Sequence, residues 1–356
     1  MRACILAAHR SNYALETTHE TLEELIYATT QALLRKAGIS LAEIDAVAIA
    51  SSDAVDGRAI SSMVTGGSVG CYERDLVNSS SSGEHALILA CLRILSGRSR
   101  LCLVANWAKP SEAPVSAADR LALDPFFYRS LGLERTAFAA LQAASYVLRT
   151  GDTRAGDAVA ARASEAAARN ERAVARRPVS AEEVAESPVV AWPLRELHVG
   201  PLVDGAVVLL VASEDVARER GAQYAVVEGF GWAIDSYWLG DRRPDSVPAL
   251  RLAARAAFEQ ARIADPRRML DVVELCDASA FHELIALDAL GLDGSAAAVN
   301  PSGGQLAGYP DFAFGLDRVA EVFERVTGDV SRGLAHSAAG FAQQSHSVFV
   351  LGRGED

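Results

Sequence analysis

What the 356-residue chain has little of narrows its function first. Its five cysteines, Cys4, Cys71, Cys91, Cys102 and Cys276, form no Cys-x-x-Cys pair. Neither a zinc ribbon nor a disulfide framework is indicated, and no bound metal or tightly held cofactor is expected. No apolar run is long enough to span a bilayer. The short apolar start soon meets His9, Arg10 and Asn12, too early for a signal peptide, so a reducing cytoplasm is the expected location. Basic residues are outnumbered: 34 Lys and Arg against 46 Asp and Glu leave a net charge of −12. That balance argues against a nucleic-acid partner and offers no broad basic surface to an anionic membrane. Half of the residues are apolar, which suffices for a large buried core, and the length suggests two or three domain-sized units.

Helix-then-strand units recur in the first and last thirds. Residues 22–37 have helical apolar spacing and 44–50 read as a short buried strand; 249–261 and 270–275 repeat that order. A second correspondence follows each unit. Val77-Asn78 leads through Ser82-Gly83 into an apolar helix over 84–95, and Val299-Asn300 leads through Ser302-Gly303-Gly304 into another. Ser96-Gly97 and Thr327-Gly328 lie near the ends of those helices, before candidate strands at 101–105 and 346–351. Two similar α/β halves are the economical reading, at 1–220 and 221–356. The stretch 107–193, rich in Ala, Arg and Glu with few strand signals, reads as a helical insertion in the first half. Within 162–177 the arginines alternate with Glu165 and Glu171 and lack interleaved aromatics, the pattern of a solvated helix face rather than a nucleic-acid helix.

Residues Asn300-Pro301-Ser302-Gly303-Gly304 followed by Gly308-Tyr309-Pro310 resemble the signature loop of thiolases of the sterol carrier protein type, with a tyrosine where that loop carries histidine. The resemblance extends through Val77-Asn78 to Ser82-Gly83, Pro201 to Asp204-Gly205-Ala206, Glu274 to Asp277, Glu283-Leu284, Ala289 to Leu292 and Ala335-His336. It implies a thiolase fold: two duplicated βαβαβ-type halves in a layered α/β/α/β/α core, with an insertion covering an acyl-CoA channel. Thiolases carry Cys-x-Ser-Gly where this chain has Ser80-Ser81-Ser82-Gly83, so Ser80 stands at the nucleophile position. A helix start lowers a thiol pKa but does not ionise a serine near neutrality, so Ser80 needs a neighbouring base. Four serines capping a helix is the competing structural reading. In the motif His-Asp-Cys-Phe, Cys276 takes the histidine position, Asp277 is retained and Ala278 replaces the cysteine. Cys276 reads as a packed thiol.

The match brings Tyr309 and His336 towards one pocket, Tyr309 as a donor to a thioester or aldol oxygen and His336 as general base. Ser80, Tyr309 and His336 are the expected catalytic set. Asn78, Ser82, Gly83, Asp277, His282, Asn300, Ser302, Gly303, Gly304 and Gly308 are the expected substrate-binding residues. His85, His198 and His346 have weaker cases. Residues Asp235 to Arg242, which include Tyr237-Trp238, resemble a segment of bacterial thiolase-like proteins that work with a small OB-fold, zinc-ribbon subunit. The same eight residues also read as a capped loop or an interface hot spot. The expected function is acyl transfer or carbon–carbon bond chemistry on an acyl-CoA or related thioester, with a homodimer core. A retro-aldolase acting on a β-hydroxyacyl-CoA and a silent subunit that organises an active partner are the alternatives.

Overall fold

The computed structural model describes residues 1–113 and 115–354. In chain order, β1 (Ala3–Arg10), α1 (Leu22–Ala37), β2 (Ala46–Ala50), α2 (Asp53–Asp56), α3 (Ser61–Val69), β3 (Asp75–Ser79), α4 (Gly83–Leu95) and β4 (Leu101–Ala108) come first. The insertion follows with α5 (Val115–Leu121), α6 (Arg135–Thr150), α7 (Ala155–Ala168), α8 (Ala181–Glu186) and a small hairpin of β5 (Val189–Ala191) and β6 (Leu194–Arg195), before β7 (Gly205–Ser213) and α9 (Glu214–Glu219). The remainder is β8 (Ala225–Ile234), α10 (Pro248–Ala261), α11 (Pro266–Met269), β9 (Val272–Glu274), α12 (Ala280–Leu290), β10 (Ala298–Val299), α13 (Phe314–Val326), β11 (Arg332–Ala339) and β12 (Ser345–Arg353). The hairpin is the one departure from the helical reading of the insertion; adjacent Val189 and Val190 favour extended backbone.

Ten strands form one sheet in the order β10-β9-β11-β12-β8-β1-β7-β4-β2-β3. Read outward from the central antiparallel β1–β8 pair, both halves have the same plan. β1, β7, β4, β2 and β3 match β8, β12, β11, β9 and β10, with the last three strands of each half parallel. The strands are apolar on both faces, as strands covered by helices on each side must be. Along β7, Val207, Leu209 and Val211 face one core, and Ala206, Val208, Leu210 and Ala212 another. The first of these cores also holds α4 and α13, so both halves pack around that helix pair. Leucines and Ile26 of α1 fill the second, and α10 and α12 cover the outer face of the other half. Helices thus cover both faces of the sheet, with α4 and α13 shared between its two halves.

Local sequence sets the element ends. Thr21 and Glu24 close a capping box at the start of α1, and Gly38, at φ 64°, ends it in the left-handed conformation that glycine adopts without strain. α10 lies unusually close to the sheet: a Cβ on Gly229 or Gly231 of β8 would fall on the carbonyl oxygens of Ala257 and Ala253. No helix among the described residues is long and apolar enough to cross a membrane.

That close contact yields a test of the packing. Alanine at Gly231 forces α10 away from β8, and overpacking of this kind costs about 1–3 kcal/mol. The urea midpoint of Gly231→Ala should fall accordingly, with Gly240→Ala, whose Cβ would meet open space, near the parent value. An unchanged midpoint for Gly231→Ala would refute the contact.

Candidate active site

A cavity of about 680 Å³ opens where the C-terminal ends of β3, β4 and β9, the signature loop and the insertion meet, with Ser80, Ser82, Cys276, His282, Gln305, Tyr309 and Ser337 on its wall. Apolar side chains from the insertion and the two last-third loops, among them Val115, Leu121, Phe312 and Phe341, line the rest. Of the expected set, the wall therefore carries Ser80, Ser82, His282 and Tyr309.

Most of the other expected residues form the frame behind the wall. Asn300 is fully buried; its Oδ1 accepts the Leu275 N–H at 2.6 Å and its Nδ2 donates to Glu283 at 2.8 Å. Ser302 donates to Glu274 at 2.7 Å and accepts from Arg318 at 2.7 Å. Gln305 N–H donates to Asp277 Oδ1 at 2.6 Å. Gly304, at φ 62°, presses on that same carboxylate, where a Cβ would fall on Asp277 Oδ2. Gly303 packs on Ala167 and Gly308 on Val174, tying the loop to the insertion. Asn78 accepts from Ser51, N–H at 3.0 Å and Oγ at 3.1 Å, and Gly83 lets α4 start against β4, since a Cβ there would lie 2.5 Å from Asn106 Oδ1.

His336 lies on β11, 1 % exposed, and is not on the cavity wall. Its Nδ1 accepts the Cys276 N–H at 3.4 Å, so its proton sits on Nε2, which meets His346 Nδ1 at 3.1 Å. Both ring nitrogens are thus engaged, and burial pushes the pKa down to about 3. In this geometry the imidazole is a neutral brace. Cys276, the thiol at the family's histidine position, donates to Gln305 Oε1 at 3.1 Å, and burial holds its pKa up at about 12, so it is protonated. Tyr309 is 4 % exposed and packs edge-on to Phe314. Burial raises its pKa, Asp311 adding to the effect and Arg135 opposing it, so it faces the cavity as a neutral phenol. Arg135 is fixed by Asp119 at 2.7 Å and Asp311 at 2.8 Å. Ser80 is exposed, and its hydroxyl has no hydrogen-bond partner among the described residues.

One group escaped the sequence reading. Glu84, in the first turn of α4, is 1 % exposed and accepts a hydrogen bond from the Ser82 hydroxyl. An acid in a first helical turn reads as a dipole partner and passes unnoticed; the signal lay in its position two residues beyond Ser82, inside an otherwise apolar helix. No cluster of His, Cys, Asp and Glu among the described residues has the form of a metal site.

No protein-family model matches the chain. It is 28 % identical over 288 residues to an acetyl-CoA acetyltransferase of Methanothermobacter thermautotrophicus, spanning 73 % of this chain and 74 % of that one. Over 180 residues, 44 % of this chain, it is 27 % identical to sterol carrier protein 2 of Oryctolagus cuniculus, of which it spans 32 %. Among solved structures, the Ltp2-ChsH2(DUF35) aldolase superposes with a TM-score of 0.80 at 19 % identity over 100 % of this chain and 98 % of that one. A monomeric SCP2-thiolase-like protein from Mycobacterium smegmatis gives 0.81 at 18 % identity, over 99 % of this chain and 77 % of that one. The chain is thus similar in sequence to acetyl-CoA acetyltransferases and sterol carrier protein 2, and it shares the fold of SCP2-thiolase-like structures. At the positions that resemble thiolase motifs, Ser80 stands for the sulfur nucleophile, Cys276 and Tyr309 stand for histidines, and His336 is buried off the cavity wall.

The neutral histidines make a pH prediction. His282 donates from Nε2 to Gln142 at 3.0 Å, and burial lowers its pKa to about 4. Both His282 and His336 therefore take up protons more readily unfolded, near pH 6.5, than folded. Their neutral burial is fully tolerated above about pH 6.5. Stability falls as pH drops from there towards 4, each histidine costing about 1.4 kcal/mol for every pH unit between its unfolded and folded pKa values. Chemical denaturation of the parent and of His282→Gln at pH 7.5, 6 and 5 checks this. The parent should lose stability more steeply than the variant; parallel curves would contradict the assignment.

Proposed function

We propose that this chain catalyses reversible aldol-type cleavage of a carbon–carbon bond in a β-hydroxyacyl thioester of coenzyme A, without a covalent enzyme intermediate. The observation that carries the reading is Tyr309, a protonated phenol on the wall of a cavity whose thiol, Cys276, is protonated and whose wall histidine, His282, is a weak base with its pKa lowered to about 4. In cleavage, the β-hydroxyl gives up its proton, its oxygen pair forms the new carbonyl and the Cα–Cβ pair becomes a thioester enolate. Tyr309 donates to the enolate oxygen, and a proton from water completes the shortened thioester. The apolar wall around Val115, Leu121 and Phe341 suits an apolar carbonyl product. The acetyl-CoA acetyltransferase relative supports a coenzyme A thioester, and the aldolase superposition supports the reaction class.

Acyl transfer through Ser80 is the second reading, favoured by its place on the wall at the start of α4. Purified chain incubated with a panel of 3-hydroxyacyl-CoA thioesters should release a shortened acyl-CoA and a carbonyl product. Tyr309→Phe should lower kcat by about 10²–10³, and Ser80→Ala should retain most of the activity. An acyl-sized mass increase lost in Ser80→Ala would move the assignment to acyl transfer. Neither turnover nor adduct across the panel would sink both and leave the silent subunit.

The reading extends to assembly. Exposed Leu76 on the edge strand β3, with Leu92 and Leu95 of α4, forms the homodimer surface. Beside the cavity mouth, Phe127 meets Trp238 at 5.7 Å and Tyr128 meets Trp238 at 5.5 Å, while Tyr237 reaches the wall residue Phe341 at 5.3 Å. Phe126 and Phe127 remain 82 % and 66 % exposed. This aromatic ledge receives a small OB-fold, zinc-ribbon subunit, in keeping with the DUF35 component of the aldolase it superposes on. Co-expression with such a subunit followed by size-exclusion chromatography tests it. The two should co-elute, and Trp238→Ala together with Phe127→Ala should weaken the complex at least about tenfold while leaving the thiolase-fold subunit intact; undiminished co-elution would place the interface elsewhere.

A further inference from the structure

Ser82 and Glu84 form a pair that neither the acyl-transfer nor the aldol reading assigns. Ser82 sits on the cavity wall and gives its hydroxyl proton to Glu84 Oε1. With that proton committed, Ser82 Oγ presents lone pairs, and no donor, to the cavity. Behind it Glu84 is 1 % exposed, His85 Nδ1 stands 3.5 Å from Oε1, and Oε2 has no hydrogen-bond partner among the described residues. Oε2 is directed at Gly315, another wall residue: a Cβ there would fall on both Glu84 Oε2 and the Ser337 hydroxyl. Glycine at 315 thus keeps the carboxylate and two wall hydroxyls, those of Ser82 and Ser337, in one place. Burial pushes Glu84 up, but His85 and Ser82 outweigh it and hold the carboxyl below its ordinary pKa, so it is ionised.

We infer that Ser82, backed by Glu84, is the recognition point for the substrate's β-hydroxyl and the route by which its proton leaves. The inference rests on the thioester reading above and identifies the group that reading needs. A hydroxyl can donate to Ser82 Oγ; a β-keto oxygen cannot, since it too only accepts, and a plain methylene offers nothing. The pair therefore selects the β-hydroxyacyl thioester against the β-ketoacyl thioester of ordinary thiolysis. In cleavage the substrate O–H proton passes to Ser82 Oγ as the serine proton passes to Glu84, the C–O bond becomes a carbonyl and the carbon–carbon pair goes to the enolate. Ser82 touches the substrate; Glu84 acts through it as a positioning residue and proton store.

The test is equilibrium binding, which requires no turnover. Calorimetric titration with a 3-hydroxyacyl-CoA, the matching 3-ketoacyl-CoA and the matching acyl-CoA should show the parent preferring the hydroxyl ligand by about tenfold or more, the scale of one hydrogen bond into a charge-backed acceptor. Glu84→Gln and Ser82→Ala should each reduce that preference to about twofold or less, with the acyl-CoA affinity kept, and Ser82→Thr should restore it. Melting temperatures separate loss of fold from loss of recognition, and Ser82→Ala carries the test if Glu84→Gln does not fold. Equal binding of the three ligands by the parent, or a preference that survives in a folded variant, overturns this inference alone. Failure of all three to bind overturns the thioester reading and this inference together. Hydroxyl preference without cleavage leaves the recognition point standing and sinks the aldol reaction.

Discussion

The signature loop over 300–310 is held from beneath by buried carboxylates, and the cavity exists because they do not yield. Glu274 takes the Ser302 N–H and hydroxyl while Arg318 binds both, and Asp277 takes the Gln305 N–H. Breaking such a pair from one side strands the other charge in the core, which costs about 3–5 kcal/mol. The loop has therefore one conformation, and Tyr309 at its end has one place. The same bracing passes through Asn300 to Glu283 and from there to Arg162 of the insertion, so α7 is tied to the loop.

Desolvation then sets the chemistry. A thiol, a phenol and two imidazoles lie in or against the cavity, and burial drives each towards its neutral form: Cys276 up, Tyr309 up, His282 and His336 down. These groups do not run on a thiolate or an imidazolium, and the charged side chains on the wall, Lys109, Asp119, Arg135 and Asp311, are held in ion pairs. On the wall they leave a hydrogen-bond donor in Tyr309 and acceptors in Ser82 and His282. Glu84 is the exception: the Ser82 hydroxyl donates to its Oε1, and the His85 ring stands 3.5 Å from the same oxygen.

Much of the fold was legible in the sequence. The paired order of helix and strand at 22–50 and 249–275, and the matching serine-glycine turns, correspond to the two halves seen in the sheet, because amphipathic and fully buried periodicities are local properties. The motif alignment also brought Ser80 and Tyr309 to one cavity. What local pattern does not carry is orientation. His336 has the right residue type at the right motif position, yet a neighbouring strand places His346 within 3.1 Å and the Cys276 backbone closes its other side. Glu84 was hidden for the converse reason: its meaning depends on Gly315, which is far away in the sequence and adjacent only in the fold.

The altered motifs form a coherent polar site, which bears on the choice between an active reading and a decayed one. Two of the replaced residues have specific partners, Cys276 with Gln305 and Tyr309 beside Arg135 and Asp311, and the retained His336 meets His346. Glu84 Oε2, Asp277 Oδ2 and His282 Nδ1 are buried without partners among the described residues, at a cost of about 1–3 kcal/mol for each such group. Apolar side chains of similar volume would remove that cost and close the cavity, since replacing buried ionic groups by packed apolar ones is commonly neutral or stabilising. A chain serving only to scaffold a partner gains nothing from keeping an open 680 Å³ space with an ionised carboxylate behind its wall. The arrangement makes physical sense when a ligand that donates a hydrogen bond occupies it.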